Sequence, residues 1–229
     1  MKTFTHISNH TQPSKLSVEV LNGKRYYTTP SGIKVPSVTS VLGYRKPSGL
    51  LEWKKALGEE KSDKITLDAA RRGTRVHNLC ERYIRNEKIN LKSLMPDMKE
   101  MFRDLQLSLN RIDNIRLIEA PLYSDKLKLA GRSDVIGDFD GIPSIIDFKT
   151  SLREKPEDYI QDYFLQATAY ALMYNKMFNE NIQQIVIIIL CDDRNTPQIF
   201  IKNIAEYITP LYLRIIDYWK HNEEYKICT

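Results

Sequence analysis

Residues 131–150, GRSDVIGDFDGIPSIIDFKT, constrain the fold more than any other stretch of the chain. Two strand-like runs flank Asp140-Gly141, a dipeptide that favours a two-residue type I′ hairpin loop because both central residues take positive φ. With that loop Phe139 pairs with Ile142, and stepping back along both strands brings Asp134 opposite Asp147. The pair falls at a non-hydrogen-bonded position, where facing side chains come closest. Lys149 shares a face with Asp147 because strand side chains alternate. Like charges facing each other destabilise a sheet unless a cation lies between them. Two carboxylates and a lysine on one face therefore describe a divalent-metal site with an ammonium beside it. The bland alternative is a solvated face on which Asp134 pairs with Arg132 and Asp147 with Lys149.

A second constellation lies in AARRGTRVHNLCERYI, residues 69–84. Helical spacing puts Gly73, His77 and Glu81 on one face, beside an apolar stripe of Val76, Cys80, Tyr83 and Ile84. A glycine inside a helix costs about 1 kcal/mol relative to alanine, and it suits a place where a backbone or nucleotide comes close. A lone helical histidine is most often a surface or core residue. His77 gains a further reading because the hairpin site needs another ligand.

The chain has 229 residues, 42% hydrophobic and 28% charged, as expected of one globular domain. No apolar stretch reaches membrane-span length, and the N-terminal MKTFTHISNH reads neither as a signal core nor as an Arg-rich presequence. Three scattered cysteines suit reduced thiols in a cytoplasmic compartment, the host cytoplasm for a viral source, rather than disulfides or a metal cluster. Charge is uneven. Residues 1–90 carry 17 Lys/Arg against 8 Asp/Glu, and residues 91–229 carry 17 against 21. That asymmetry fits a polyanion-binding front half joined to a carboxylate-bearing half.

The pattern predicts strands on either side of a Pro30-Ser31-Gly32 turn between Arg25 and Val35, and a short helix capped by Ser37. Helices are expected over 50–60, 68–86, 96–110 and 156–178, and over 203–224 in the tail. Strands are expected over 115–123, 128–138, 143–150, 184–191 and 198–202. The fold class is therefore α/β, a single domain with a central mixed sheet flanked by helices. It divides into a basic, helical nucleic-acid-binding part (1–90), a sheet-based core (115–202) and a C-terminal helix (203–229).

Four pieces in order carry a family resemblance: Arg72 to Glu81 (RGTRVHNLCE), Gly131 to Asp134 (GRSD), Ile145 to Thr150 (IIDFKT) and Gln166 to Tyr170 (QATAY). Together they resemble the RecB-type branch of the PD-(D/E)XK nuclease superfamily, and within it an exonuclease group with phage-encoded members. The likeness extends to Pro36-Ser37-Val38-Thr39, Trp53-Lys54 and Glu119, covering roughly residues 25–190. Each motif alone is weak; four in the right order are specific. The resemblance implies a restriction-endonuclease-like core with His77, Asp134, Asp147 and the Phe148 carbonyl as metal ligands. Asp134, Asp147 and Lys149 are then the catalytic set. Gln166 and Tyr170 support the site or touch DNA, and Arg72, Ser37 and Thr39 hold phosphates. Glu81 and Glu119 are possible supports. The cofactor is Mg²⁺ or Mn²⁺, since imidazole is a softer ligand than Mg²⁺ usually prefers and Mn²⁺ should also work. The iron–sulfur cysteines of some relatives have no counterpart here.

The expected activity is a metal-dependent exonuclease acting on single-stranded DNA ends, with no membrane or protein partner indicated. Its alternatives are an endonuclease or duplex-end exonuclease on the same fold, and a non-catalytic nucleic-acid-binding module. Stacking aromatics for a single strand are sought in Tyr26, Tyr27, Tyr44 and Trp53, each of which has an ordinary core reading as well. A mobile cover over the groove is sought in residues 96–110, where Met95, Met98, Met101 and Phe102 lie among Lys99 and Arg103.

Overall fold

The computed structural model describes residues 2–8, 10–45, 52 and 55–222. Its centre is a five-stranded sheet in the order β4 (Ile112–Ser124), β5 (Leu129–Phe139), β6 (Ile142–Ser151), β7 (Gln184–Cys191), β8 (Gln198–Asn203). β4, β5 and β6 form an antiparallel meander, and β7 and β8 a second antiparallel pair. The two are joined by a parallel β6–β7 contact. A parallel pair needs a long crossover, and α4 (Gln161–Phe178) supplies it. The sheet is therefore mixed, as expected. The Asp140-Gly141 loop has φ of 52° and 79°, the doubly left-handed backbone of a type I′ turn.

Both sheet faces are covered, which accounts for the unbroken apolar run of β7. On one face β5, β6 and β7 pack against α1 (Val38–Leu42), α4 and α5 (Ile208–His221). On the other they pack against α2 (Glu59–Ile84) and α3 (Pro96–Leu109). A separate three-stranded antiparallel sheet, β1 (Ser17–Leu21), β2 (Lys24–Thr28) and β3 (Lys34–Pro36), lies in the basic front part. That part is thus not wholly helical, and β1 had no expectation from the sequence. Its five residues are all exposed, so no buried face marks it.

Several ends differ from expectation. α2 starts at Glu59 rather than Asp68, because its first turns run exposed and carry no apolar periodicity. Of the expected helix over 50–60, residues 50, 51, 53 and 54 lie outside those described; 52 and 55–57 are helical, and Gly58, at φ of 79°, separates them from α2. α5 begins at Ile208, after a 3₁₀ turn over Ile204–Glu206 capped by Asn203. The outer edge of β4 is partly covered by the N-terminal segment. Ile7 N–H donates to the Ile115 carbonyl and Ile115 N–H to that of Thr5, each at 2.8 Å. An unpaired edge is thereby shielded.

Candidate active site

The hairpin register is the expected one from Phe139–Ile142 to Val135–Ile146, and there the paired ladder ends. At the next step Asp134 meets β6 through its side chain, its Oδ2 accepting from the Phe148 N–H at 2.8 Å. Beyond that point β6 stays with β7, Asp147 opposite Ile187 and Lys149 opposite Ile189. The two strands fork, and the carboxylates sit at the fork. Asp147 and Lys149 do share a face, and they form an ion pair in which both side chains are largely buried. The exposed-face alternative fails for Asp147, whose relative exposure is 2%. Since a strand residue's N–H and C=O project to the same side, the Phe148 carbonyl turns toward Asp134 as its N–H does.

Glu119 enters from β4. The ladder passes from Ile118–Val135 to Ala120–Ser133, and Glu119 between them has φ of 52°. A left-handed backbone in the middle of a strand is strained for any residue but glycine, and such strain collects at functional sites. Here it re-aims one carboxylate. Glu119, Asp134 and His77 each offer a ligand atom, all within 4.8 Å of one another. Arg132 Nε pairs with Glu119 at 2.8 Å.

α2 delivers His77, whose Nδ1 lies 3.3 Å from Asp134 Oδ2. The expected helical face is present: Gly73, His77 and Glu81 line the same cleft of about 490 Å³. The stripe beside it, Val76, Cys80, Tyr83 and Ile84, is buried in the core. Gly73 is not sterically demanded, since a Cβ there meets only Thr150 Oγ1 at 3.7 Å. Glu81 pairs with Arg85 at 3.0 Å.

Charge is divided unevenly. Burial opposes ionisation of Asp134, but His77, Lys149 and the Phe148 N–H together outweigh it and hold the carboxyl below its usual range. Asp147 goes the other way: burial raises its pKa, and Lys149 offsets this only in part. Burial works against charge on His77 and Lys149, yet the adjacent carboxylates raise both. Burial, with Asp134 nearby, also raises Glu119 against the pull of Arg132. A base role for Lys149 requires a lowered pKa. In this environment it is a cation.

α4 closes the cleft from the other side. Gln166 Nε2 donates to the Tyr170 hydroxyl at 3.1 Å, and both line the cleft. The Tyr170 ring lies against Gly131, where an added Cβ would come within 2.7 Å of Cε1. Gly131→Ala is therefore expected to cost about 1–3 kcal/mol through overpacking, read as a lowered melting temperature. Tyr170→Leu in the same chain should restore part of the loss. Tyr163 was missed in the sequence. Its ring centroid lies 5.2 Å from Lys149 Nζ, and its spacing of three and seven from Gln166 and Tyr170 was the available signal.

Ser37 and Thr39 line the cleft, but the Ser37 hydroxyl is engaged in capping α1, accepting from Ser40 N–H at 3.0 Å. Arg72 requires correction. Its guanidinium is buried against Asp192 and lines a different pocket, with Asp97 and Glu100. Neutralising it should leave the salt dependence of DNA binding unchanged and cost about 2 kcal/mol of stability. A slope of log K against log salt reduced by about one would return Arg72 to the phosphate contacts.

Among the sought aromatics, Tyr27 lines the cleft but is itself buried in a small core cluster. Tyr26 is buried, Tyr44 bonds Asp217, and Trp53 lies outside the described residues. α3 is no cover: Met98, Phe102, Leu105 and Leu109 are core residues, and none of its residues lines the cleft.

The grouped donors are one imidazole and two carboxylates, His77, Asp134 and Glu119, with Asp147 and its buried Lys149 partner beside them at the fork. Such a set fits a divalent cation that prefers oxygen and tolerates nitrogen. Residues 97–208 match the family model described as the PD-(D/E)XK nuclease superfamily. That match takes in all five strands of the central sheet and the α4 crossover. The chain is 26% identical over 217 residues to human mitochondrial genome maintenance exonuclease 1, a match covering 84% of this chain and 60% of the human protein. It therefore spans well under the full length of that relative. Among solved structures, SSO0001 is similar with a TM-score of 0.43 at 15% identity, over 82% of this chain and 76% of that one. A putative exonuclease from Eubacterium rectale gives 0.39 at 11% identity, over 62% and 65%.

Proposed function

We propose that the protein is a divalent-metal-dependent deoxyribonuclease that removes nucleotides from single-stranded DNA ends. The observation that carries this reading is the fork itself, where Asp134, His77 and Glu119 line an open cleft and the buried Asp147–Lys149 pair lies beside them on β6. A cation, Mg²⁺ or Mn²⁺, held by Asp134 with His77, Glu119, Asp147 and the Phe148 carbonyl as its available partners, supplies Lewis acidity toward the scissile phosphate. Lys149 donates from its ammonium to the attacking water or a phosphate oxygen and is oriented by Asp147. Arg25 and Arg132 at the cleft wall meet flanking phosphates, and Thr39 offers a hydroxyl there. Tyr27 and Tyr170 also line the cleft beside those cations, but both are buried and serve as its wall, so a single strand is held chiefly through its phosphates.

The test is digestion of end-labelled, end-blocked and circular single strands with Mg²⁺, Mn²⁺ or EDTA. Linear strands should be degraded from a free end, circular strands should persist, and EDTA should stop the reaction. Rapid cutting of circles would make the protein an endonuclease on the same site. Binding without metal-dependent cleavage would make it a nucleic-acid-binding module.

A further inference from the structure

The segment that precedes β1 runs along the outer edge of β4. Phe4 is a core residue, and Thr5 and Ile7 bond the main chain of Ile115. His10 hydrogen-bonds Glu180, with its ring against Tyr174 and Phe178. Two residues beyond that anchor, the exposed side chain of Gln12 reaches β4 beside the fork. Its Nε2 donates to the Ile118 carbonyl at 3.1 Å and to the Glu119 carbonyl at 3.3 Å.

Successive carbonyls of a regular strand point to opposite edges, so one amide nitrogen does not ordinarily serve both. The left-handed φ of 52° at Glu119 turns the peptide between Ile118 and Glu119 and presents both oxygens to one donor. A primary amide carries two N–H groups and satisfies the pair. With Glu119 extended, one of these bonds is lost, so Gln12 favours the kinked backbone over the extended one. Across the strand, the pairs Ile118–Val135 and Ala120–Ser133 place Glu119 opposite Asp134. Arg132 Nε holds the Glu119 carboxylate at 2.8 Å. Its backbone is thus fixed from one side and its side chain from the other, with a carboxylate oxygen within 4.8 Å of ligand atoms of His77 and Asp134. We infer that Gln12 is a positioning residue for the metal site. It touches no metal-ligating atom and acts by holding Glu119 in the conformation that aims its carboxylate at the cation. The inference rests on the metal-dependent reading above, with Glu119 among the ligands.

The test titrates Mn²⁺ against the full chain and reads the dissociation constant from the rise in melting temperature. Gln12→Met keeps the side-chain length and removes both donors. It should weaken Mn²⁺ binding by about three- to tenfold, the range of one net hydrogen bond. Without metal it should melt with wild type, since the altered side chain is exposed. In a Glu119→Gln background the same change should weaken Mn²⁺ no further, because groups acting through one another are not additive. That comparison is one of affinities and decides the matter even if Gln12→Met lowers the metal-free melting point. Affinity in Gln12→Met within about twofold of wild type, the scatter of independent sites, overturns the inference and leaves Arg132 alone to place Glu119. An equal loss in the Glu119→Gln background also overturns it, and Gln12 then supports the fold at large. If Glu119→Gln itself binds Mn²⁺ as wild type does, Glu119 is no ligand and the inference falls, with Asp134 and Asp147 still carrying the nuclease reading. No Mn²⁺ shift in wild type overturns the metal-dependent reading and the inference together.

Discussion

Asp134→Ala, Asp147→Ala and Lys149→Ala will each lower the rate of DNA cleavage by a factor on the order of 10³ or more, since each removes a group at the reacting centre. Single-turnover release of labelled nucleotide measures this, and a folded variant cleaving within tenfold of wild type would sink the site assignment. The three proteins should differ in stability. Asp147 and Lys149 are a largely buried ion pair, and removing one partner of such a pair costs about 3 kcal/mol or more. Lys149→Ala is the harsher change, because it leaves Asp134 and Asp147 together without their ammonium. Its metal-free melting point should fall by roughly 6–12 °C for a chain of this size. Asp147→Asn combined with Lys149→Met removes both charges and should recover most of that loss while staying inactive. If Lys149→Ala melts with wild type, the pair is solvated and the burial argument fails.

What could be read from the sequence was local. The Asp140-Gly141 turn needs only two residues to declare itself, and the register of Asp134 and Asp147 then follows by counting. Only the last step departs, because the ladder ends at Val135–Ile146 and a side chain replaces the main-chain pairing. The helical face of Gly73, His77 and Glu81 is equally local. Long-range features were not legible. Arg72 reads as a phosphate contact because its partner, Asp192, lies 120 positions away. Glu119 stood out only by resemblance, and nothing in IEAP foretells the left-handed backbone that turns its carboxylate into the site. Residues 96–110 teach a different lesson. Met98, Phe102, Leu105 and Leu109 follow helical spacing, which marks a buried face more strongly than the adaptability of methionine marks a mobile one.

Metal binding should separate the ligand set expected from the motifs from the one suggested by the geometry. At Mn²⁺ concentrations near a hundred times Kd, wild-type protein should gain about 2.7 kcal/mol, a rise of roughly 5–11 °C in melting temperature. Asp134→Asn should abolish this shift. Relief of repulsion with Asp147 argues that Asn at this position stabilises the metal-free protein, but the folded environment argues otherwise. The Asp134 carboxyl is held below its usual range despite burial, through His77, Lys149 and the Phe148 N–H. A depressed carboxyl contributes stability that is present above its unfolded pKa of about 3.9 and is lost as pH falls through the folded value. At neutral pH Asp134→Asn therefore melts slightly below wild type without metal, and the difference closes in acid. His77 adds a second pH dependence: its raised pKa lets protons compete with the ion, so the Mn²⁺ shift should be larger at pH 8 than at pH 6. Glu119→Gln decides between the two sets. If the ion is held only by His77, Asp134, Asp147 and the Phe148 carbonyl, the shift survives this change nearly intact. The 4.8 Å grouping of Glu119 with His77 and Asp134 instead predicts that it falls by at least half, with Arg72→Gln, remote from the fork, retaining the whole of it.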